Sequence, residues 1–317
     1  MITLEFLYVM AGLMFAAFAL LSALDRTNAK RFGNAAFWAL LALSLLGGSS
    51  LGDFGNGLLV LGLVALAGAG LIGRSAPPTT SEEERRAFSD RLGNRLFLPA
   101  LIVPLTALVG TLLYNYTPLG ALGLFEDKRE TYILLGLGVI LALTAIFAWL
   151  RPPLLAPLQE GRRLIDAIGW AAVLPQMLAA LGVVFAAAGV GTVIGGIATA
   201  LIPEGSVFVT VLVFGLGMAL FTMIMGNAFA AFPVMAAAIG VPLLMVDYGG
   251  SPAVIGAIGM LAGFCGTLMT PMAANFNIVP AALLELKDRN GVIKAQVGTA
   301  LPLLVANILL IYLLAFP

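Results

Sequence analysis

From Leu164 to Leu286 the chain carries neither lysine nor arginine, while Pro175, Pro203, Pro233, Pro242, Pro252, Pro271 and Pro280 punctuate it. Such a stretch has too little charge for water, and ordinary membrane spans do not need so many breaks. Non-helical backbone at membrane depth survives only where protein or a water-filled cavity satisfies its polar groups. Interrupted apolar helices are therefore a pointer to a transporter's binding site. The rest of the chain agrees with a bilayer setting. Of 317 residues, 61% are hydrophobic and 10% charged, against roughly 25% charged in a soluble domain, and the mean hydropathy is +1.06. At about 20 apolar residues per crossing, the expected fold is all-α: a polytopic transmembrane helical bundle of about 8–10 membrane segments, with broken or re-entrant helices in the second half.

Scarce residue types exclude several activities. There is no histidine and a single cysteine, Cys265. Imidazole catalysis, His-ligated zinc, thiolate metal cages and intrachain disulfides are closed off. No Walker-type phosphate loop is present, and no polar cluster combines a base with a nucleophile, so an enzyme is not expected. Sixteen basic and sixteen acidic residues balance, which gives nucleic acid no basic face to bind. The start, Met1 to Glu5, lacks a basic leader and reads as the approach to a retained first span.

Five spans are expected in residues 1–163, a scaffold: Phe6–Leu24, a second from near Ala35 into the glycine-rich turn Gly47–Gly57, then Leu58–Ile72, Leu96–Leu113 and Thr131–Leu150. The longest polar stretch is Arg74–Arg95, where Ser81 and Glu84 have the spacing of a capping box, and Glu82 and Arg86 lie four apart. It reads as a solvated helix at the membrane surface. Loops 25–34, 74–95 and 151–163 hold three, five and three basic residues, and Lys287, Arg289 and Lys294 add three more near the end. The alternating loops 47–57 and 114–130 hold none and two. By the positive-inside rule the richer side is cytoplasmic, which places the N-terminus outside.

Residues 164–317 carry the candidate chemistry. In the run Thr222 to Pro233, the pair Gly226-Asn227 interrupts an apolar segment. Glycine lets the backbone leave helical geometry, and a helix restarting after Asn227 would offer its positive end to a carboxylate. The alternative is close helix packing, with Asn bonding across helices. The second candidate, Gly263 to Asn277, gathers Gly266, Thr267, Thr270, Pro271, Asn275 and Asn277 between apolar flanks. A tight non-helical tip there could present side-chain oxygens and carbonyls to a small ligand or a desolvated Na⁺ near Asn227, Thr270 and Asn275. Its alternative is an extramembrane loop. A third candidate is Leu174-Pro175-Gln176 with the small-residue run to Gly196, in which Gly189-Val190-Gly191 forms either the apex of a re-entrant hairpin or, through Gly191 and Gly195, a packing motif. Cys265 reads as a small buried residue. No carboxylate falls mid-span, so Na⁺ coupling fits better than proton coupling, with Asp247 and Glu204 as the acids nearest to a relay.

These segments, together with the run Gly169 to Gly182, resemble a bacterial inner-membrane family labelled domain of unknown function nine-seven-nine, across the whole chain. The resemblance implies a setting beside a second short membrane protein and a pyroglutamyl peptidase. More distantly, the second half is similar to half of a gluconate-permease-like member of the ion-transporter superfamily, in which two inverted halves enclose the substrate. The combined expectation is a subunit of a secondary transporter in the inner membrane, for a small organic anion such as 5-oxoproline. It would work with a second membrane protein or a second copy of itself, with no cofactor beyond Na⁺. The alternative class is a non-transporting assembly subunit whose glycine-rich helices only pack a partner.

Overall fold

The computed structural model describes every residue except Ala76, Pro78, Glu204 and Pro317, and every remaining side chain except those of Glu82, Pro175, Gln176, Leu178, Ala179 and Leu201. It is 79% helical without strands among the described residues. Among the described residues, seven helical runs are long and apolar enough to cross a bilayer, or up to eight if a bent pair in the second half counts as one span. Two compact units result, Met1–Gly169 and Trp170–Pro317.

The first unit contains α1 (Glu5–Leu24), α2 (Arg31–Gly68), α3 (Glu82–Leu92), α4 (Phe97–Tyr116), α5 (Glu130–Leu150) and α6 (Ala156–Ile168). The α2 run holds the expected second and third spans as two arms that fold back at Gly52, whose φ of 62° is a left-handed conformation that glycine adopts without penalty. Asn56 ties the turn by donating to the carbonyls of Gly48 (2.8 Å) and Gly52 (2.9 Å). At the far end the arms close again, because Asn34 bonds Gly73 in both directions, each at 2.7 Å. The helix within the polar stretch, α3, begins with the expected capping box, Ser81 and Glu84 each bonding the other's backbone. Glu82, the proposed partner of Arg86, has a side chain outside the described set.

The two ends of this unit are chemically different. At one, Ile2 donates to the Leu124 carbonyl (2.7 Å), Glu126 donates to that of Ile2 (3.0 Å), and the Glu126 carboxylate accepts from Leu4 N–H (2.8 Å). Residues 1–4 and 124–126 therefore share an end. At the other, the loops 25–34, 71–75 and the helix α6 converge. There Arg162 donates to the Leu21 carbonyl (2.7 Å) and pairs with Asp25 (3.0 Å), which places a cation at the negative C-terminal end of α1. Asp166, one turn further on, accepts from Asn34 (3.1 Å), Trp38 (2.8 Å) and the hydroxyl of Ser75.

The second unit contains α7 (Leu174–Ala187), α8 (Val190–Leu201), α9 (Val207–Met225), α10 (Ala228–Met235), α11 (Pro252–Thr267), α12 (Ile278–Leu283) and α13 (Gly291–Leu314). Helix α10 continues as a π-wound segment, Ala236–Asp247, and the two together span 20 residues. The core lies among α9, the π segment, α11 and α13, around Phe214, Met218, Leu244, Ile255 and Ile311, all shielded from the surroundings. Helix α9 is apolar on every face, the pattern of a helix surrounded by protein or lipid. Its sequence starts it at Ser206, whose hydroxyl accepts from Val209 N–H (3.4 Å), and stops it at Gly226.

The third candidate segment is a bent pair of helices with close packing beyond the bend. The axis turns by 68° between Ala180–Ala187 and Val190–Ala200, with Gly189 at a φ of 70°. Beyond the bend, the small residues Gly191 and Gly195 lie against Ala237 and Ala238 of the π segment.

Candidate functional site

Helix α9 ends where Gly226, at a φ of 76°, donates its N–H to the Thr222 carbonyl (2.7 Å). Asn227 is extended, and its side chain accepts from Phe229 N–H (2.8 Å), so it caps the new helix α10. The negative end of one helix and the positive end of the next thus meet at two residues. Glycine is required at 226 twice over: the left-handed φ strains any other residue, and a β-carbon there would run into the Met272 carbonyl.

Met272 belongs to the second break. Helix α11 stops at Thr267, and residues 268–277 run as turns before α12 begins. Asn277, fully buried, reaches back and donates both amide hydrogens, to the carbonyls of Thr267 (2.8 Å) and Thr270 (2.7 Å), closing the end of α11 with its side chain. Thr270 joins the two breaks: its hydroxyl donates to the Met223 carbonyl (2.9 Å) and accepts from Met272 N–H (3.2 Å). One turn earlier Gly266 lies flat against the Ala219 carbonyl, which brings α9 and α11 into backbone contact.

Two buried polar atoms here have no partner among the described residues, the Thr222 hydroxyl and the Asn277 side-chain oxygen. The first faces α11, where a β-carbon on Gly263 would sit 3.3 Å from it. An unsatisfied buried group of this kind costs about 1–3 kcal/mol, so each leaves a hydrogen-bonding position open at the junction. Among the described residues, the oxygens around the breaks are neutral: carbonyls at two helix C-termini, hydroxyls and amides. Such a donor set suits a hard monovalent cation and offers an anion only the first turn of α10.

Of the residues singled out in the sequence, Thr222, Gly226, Gly266, Thr267, Thr270 and Asn277 form this junction. Asn227 borders it as the α10 cap, half-buried, while Asn275 lies half-buried in the turn between Thr270 and Asn277 and makes no hydrogen bond to the described residues of the junction. The side chain of Gln176 lies outside the described set, as does Glu204, and Asp247 is exposed at the end of the π segment. No cluster of metal-binding acids, cysteines and histidines occurs among the described residues.

Two features escaped the sequence reading. Asn307 is buried within α13 and donates to Cys265 Sγ (3.5 Å), and both line a mostly apolar cavity of about 400 Å³ with Phe264, Thr267, Leu268 and Phe276. A lone Asn inside Leu301–Leu314 was its signal. The other feature is the Arg162–Asp166 lattice of the first unit. Burial pushes the Asp166 carboxyl above its ordinary range, against the pull of Ser75, Trp38, Arg162 and Asn34. Asp25 is also penalised by burial, but Thr27 and Arg162 outweigh this and hold it below the usual carboxylate range.

Stacked apolar helices with interrupted spans define the chain as a multi-pass α-helical membrane protein. Residues 5–316 match the family described as "Protein of unknown function (DUF979)", and the chain belongs to it. No curated protein matches the chain, and no solved structure does. The wider likeness to gluconate permeases therefore has no counterpart among these matches.

Proposed function

We propose that the protein is a subunit of a secondary transporter for a small organic anion, a carboxylate of the size of 5-oxoproline, coupled to Na⁺. The observation that supports this reading most is the contact between the two helix breaks, Gly226-Asn227 and Thr270–Asn277, with the oxygens of Thr222 and Asn277 buried there without partners. Half-helix ends that meet inside a bundle are how transporters hold ions and anionic groups without charged side chains. Here the carbonyl ends of α9 and α11 suit the cation, and the first turn of α10 suits the carboxylate. The adjoining cavity beside Thr267 and Asn307 gives an apolar body room.

The proposed setting is the bacterial inner membrane, with the N-terminus outside and a second membrane protein or a second copy completing the pathway. Close packing at Gly266 and Gly263 favours a second reading, an assembly subunit whose small residues serve helix contact alone. Uptake of labelled 5-oxoproline and related carboxylates into proteoliposomes, with and without the partner, separates the two. Na⁺-dependent uptake supports transport. Absence of uptake from the complete complex, across a panel of small carboxylates, leaves the assembly reading.

A further inference from the structure

The open end of the α2 hairpin carries a second site, unrelated to the breaks. A groove of about 400 Å³ lies between the arms, lined by Gly33 and Ala36 from the first arm, Leu66 from the second and Leu71 just beyond it. Its size is in the range of ligand pockets, roughly 300–1,000 Å³. Ala29, Lys30 and Phe32 complete the lining. Lys30 is stretched across the arms by a 2.6 Å bond to the Gly70 carbonyl. The Arg31 guanidinium sits 4.6 Å from the ring centre of Phe32, and that ring is 67% exposed. Three acids of this end are occupied elsewhere: Asp25 by Arg162 and Thr27, Asp166 by Asn34, Trp38 and Ser75, and Glu160 by Arg163. Neither Lys30 nor Arg31 forms an ion pair among the described residues, so the mouth of the groove is positive.

Apolar walls below two unpaired cations, at the end of a membrane hairpin, have the chemistry of one class of molecule. We infer that this groove binds an anionic phospholipid, its phosphate at Lys30 and Arg31 and an acyl chain along Phe32, Ala36 and Leu66. Basic pockets between membrane helices recognise lipid headgroups by such charge complementarity, and the attraction falls off within a Debye length.

The test uses the purified full chain in neutral detergent, titrated with phosphatidylglycerol or with phosphatidylcholine of the same acyl chains while the thermal midpoint is followed. Phosphatidylglycerol should raise the midpoint saturably and phosphatidylcholine should not. The double variant Lys30→Gln, Arg31→Gln should weaken the apparent affinity by about tenfold or more, two surface charges being removed. Ala36→Trp, which fills the groove from an exposed position and keeps both charges, should abolish the increment even if the double variant proves less stable at rest. Equal shifts from the two lipids would overturn the inference, as would both variants keeping the increment. An equal shift from glycerol phosphate, which has the headgroup charge and no chains, would also sink it.

Discussion

The hydroxyl of Thr270 donates across 2.9 Å to the carbonyl of Met223, joining residues 47 apart in sequence and tying the end of α9 to the turn after α11. That carbonyl lies at a helix end, where intrahelical donors run out. Thr270 supplies the missing donor and, through Met272 N–H, fixes the turn that delivers Met272 to Gly226.

Thr270→Val should therefore leave a buried carbonyl and a backbone N–H without partners and destabilise the protein by about 1–3 kcal/mol. Thr270→Ser, which keeps the hydroxyl, should recover most of it. Thermal unfolding of the two variants in one detergent checks this; equal losses would mean that the hydrogen bond is not what matters.

Gly226→Ala should be more severe, at least about 2 kcal/mol, because left-handed strain and collision with the Met272 carbonyl add. Asn227→Ala removes only a helix cap and should cost about 1 kcal/mol. A Gly226→Ala protein as stable as the parent would show that the two breaks do not touch.

Thr222→Val tests the cation reading without a transport assay. Replacing an unpartnered hydroxyl by a methyl of the same shape should leave the protein as stable or more so in Na⁺-free buffer. Its Na⁺-dependent rise in thermal midpoint, measured against choline, should shrink or vanish. An undiminished Na⁺ response would remove Thr222 from the site.

The first unit should respond to pH through Asp166. Its folded carboxyl titrates above the ordinary value of 3.8, so within that window the folded state binds more protons than the unfolded one. Stability then falls as pH rises from near 3.8, and levels off once the folded carboxyl is ionised. Asp25, displaced downward, contributes with the opposite sign: its stabilisation is present above 3.8 and is lost as the pH falls below. Asp166→Asn should flatten the decline above pH 3.8. Midpoints measured from pH 4 to 8 decide it; identical slopes would clear Asp166.

With Cys265 replaced, single cysteines at Ser81 and Tyr116 should label from opposite faces of the membrane, Ser81 from the cytoplasm. Labelling of Ser81→Cys from outside intact cells would invert the proposed orientation.

The helical class and the break positions were legible because polar residues inside an apolar run are costly and stand out. Gly226-Asn227 and Gly263 to Asn277 stand out on that ground, together with the glycines and prolines beside them. Their contact was not legible: which helix end meets which depends on the packing of Gly266 on Ala219, and one sequence carries no pairing information. Asn275 looked equal to Asn277 by type, but only Asn277 reaches the open carbonyls of α11. Arg162, one of the three basic residues of loop 151–163, and Asp166 just after it lie near a span end, where charges are ordinary. Their signal was a double i,i+4 coincidence, Arg162 with Asp166 and Asn34 with Trp38, and it becomes meaningful only when α6 lies against the hairpin.

The clasp between residues 1–4 and 124–126, with that of Arg162 on the opposite end of α1, bears on the order in which this protein is made. The first helix leaves the ribosome before either of its anchors has been synthesised. It must wait in the membrane through the insertion of α2 and α4 before Leu124 and Glu126 can take hold of Ile2 and Leu4, and longer still for α6 to close on Leu21 and Asp25. The contacts at the two ends of α1 are thus complete only once the last helix of the first unit is in place. A chain arrested before residue 120 would carry α1 with both ends untied, and would be an early target for membrane quality control.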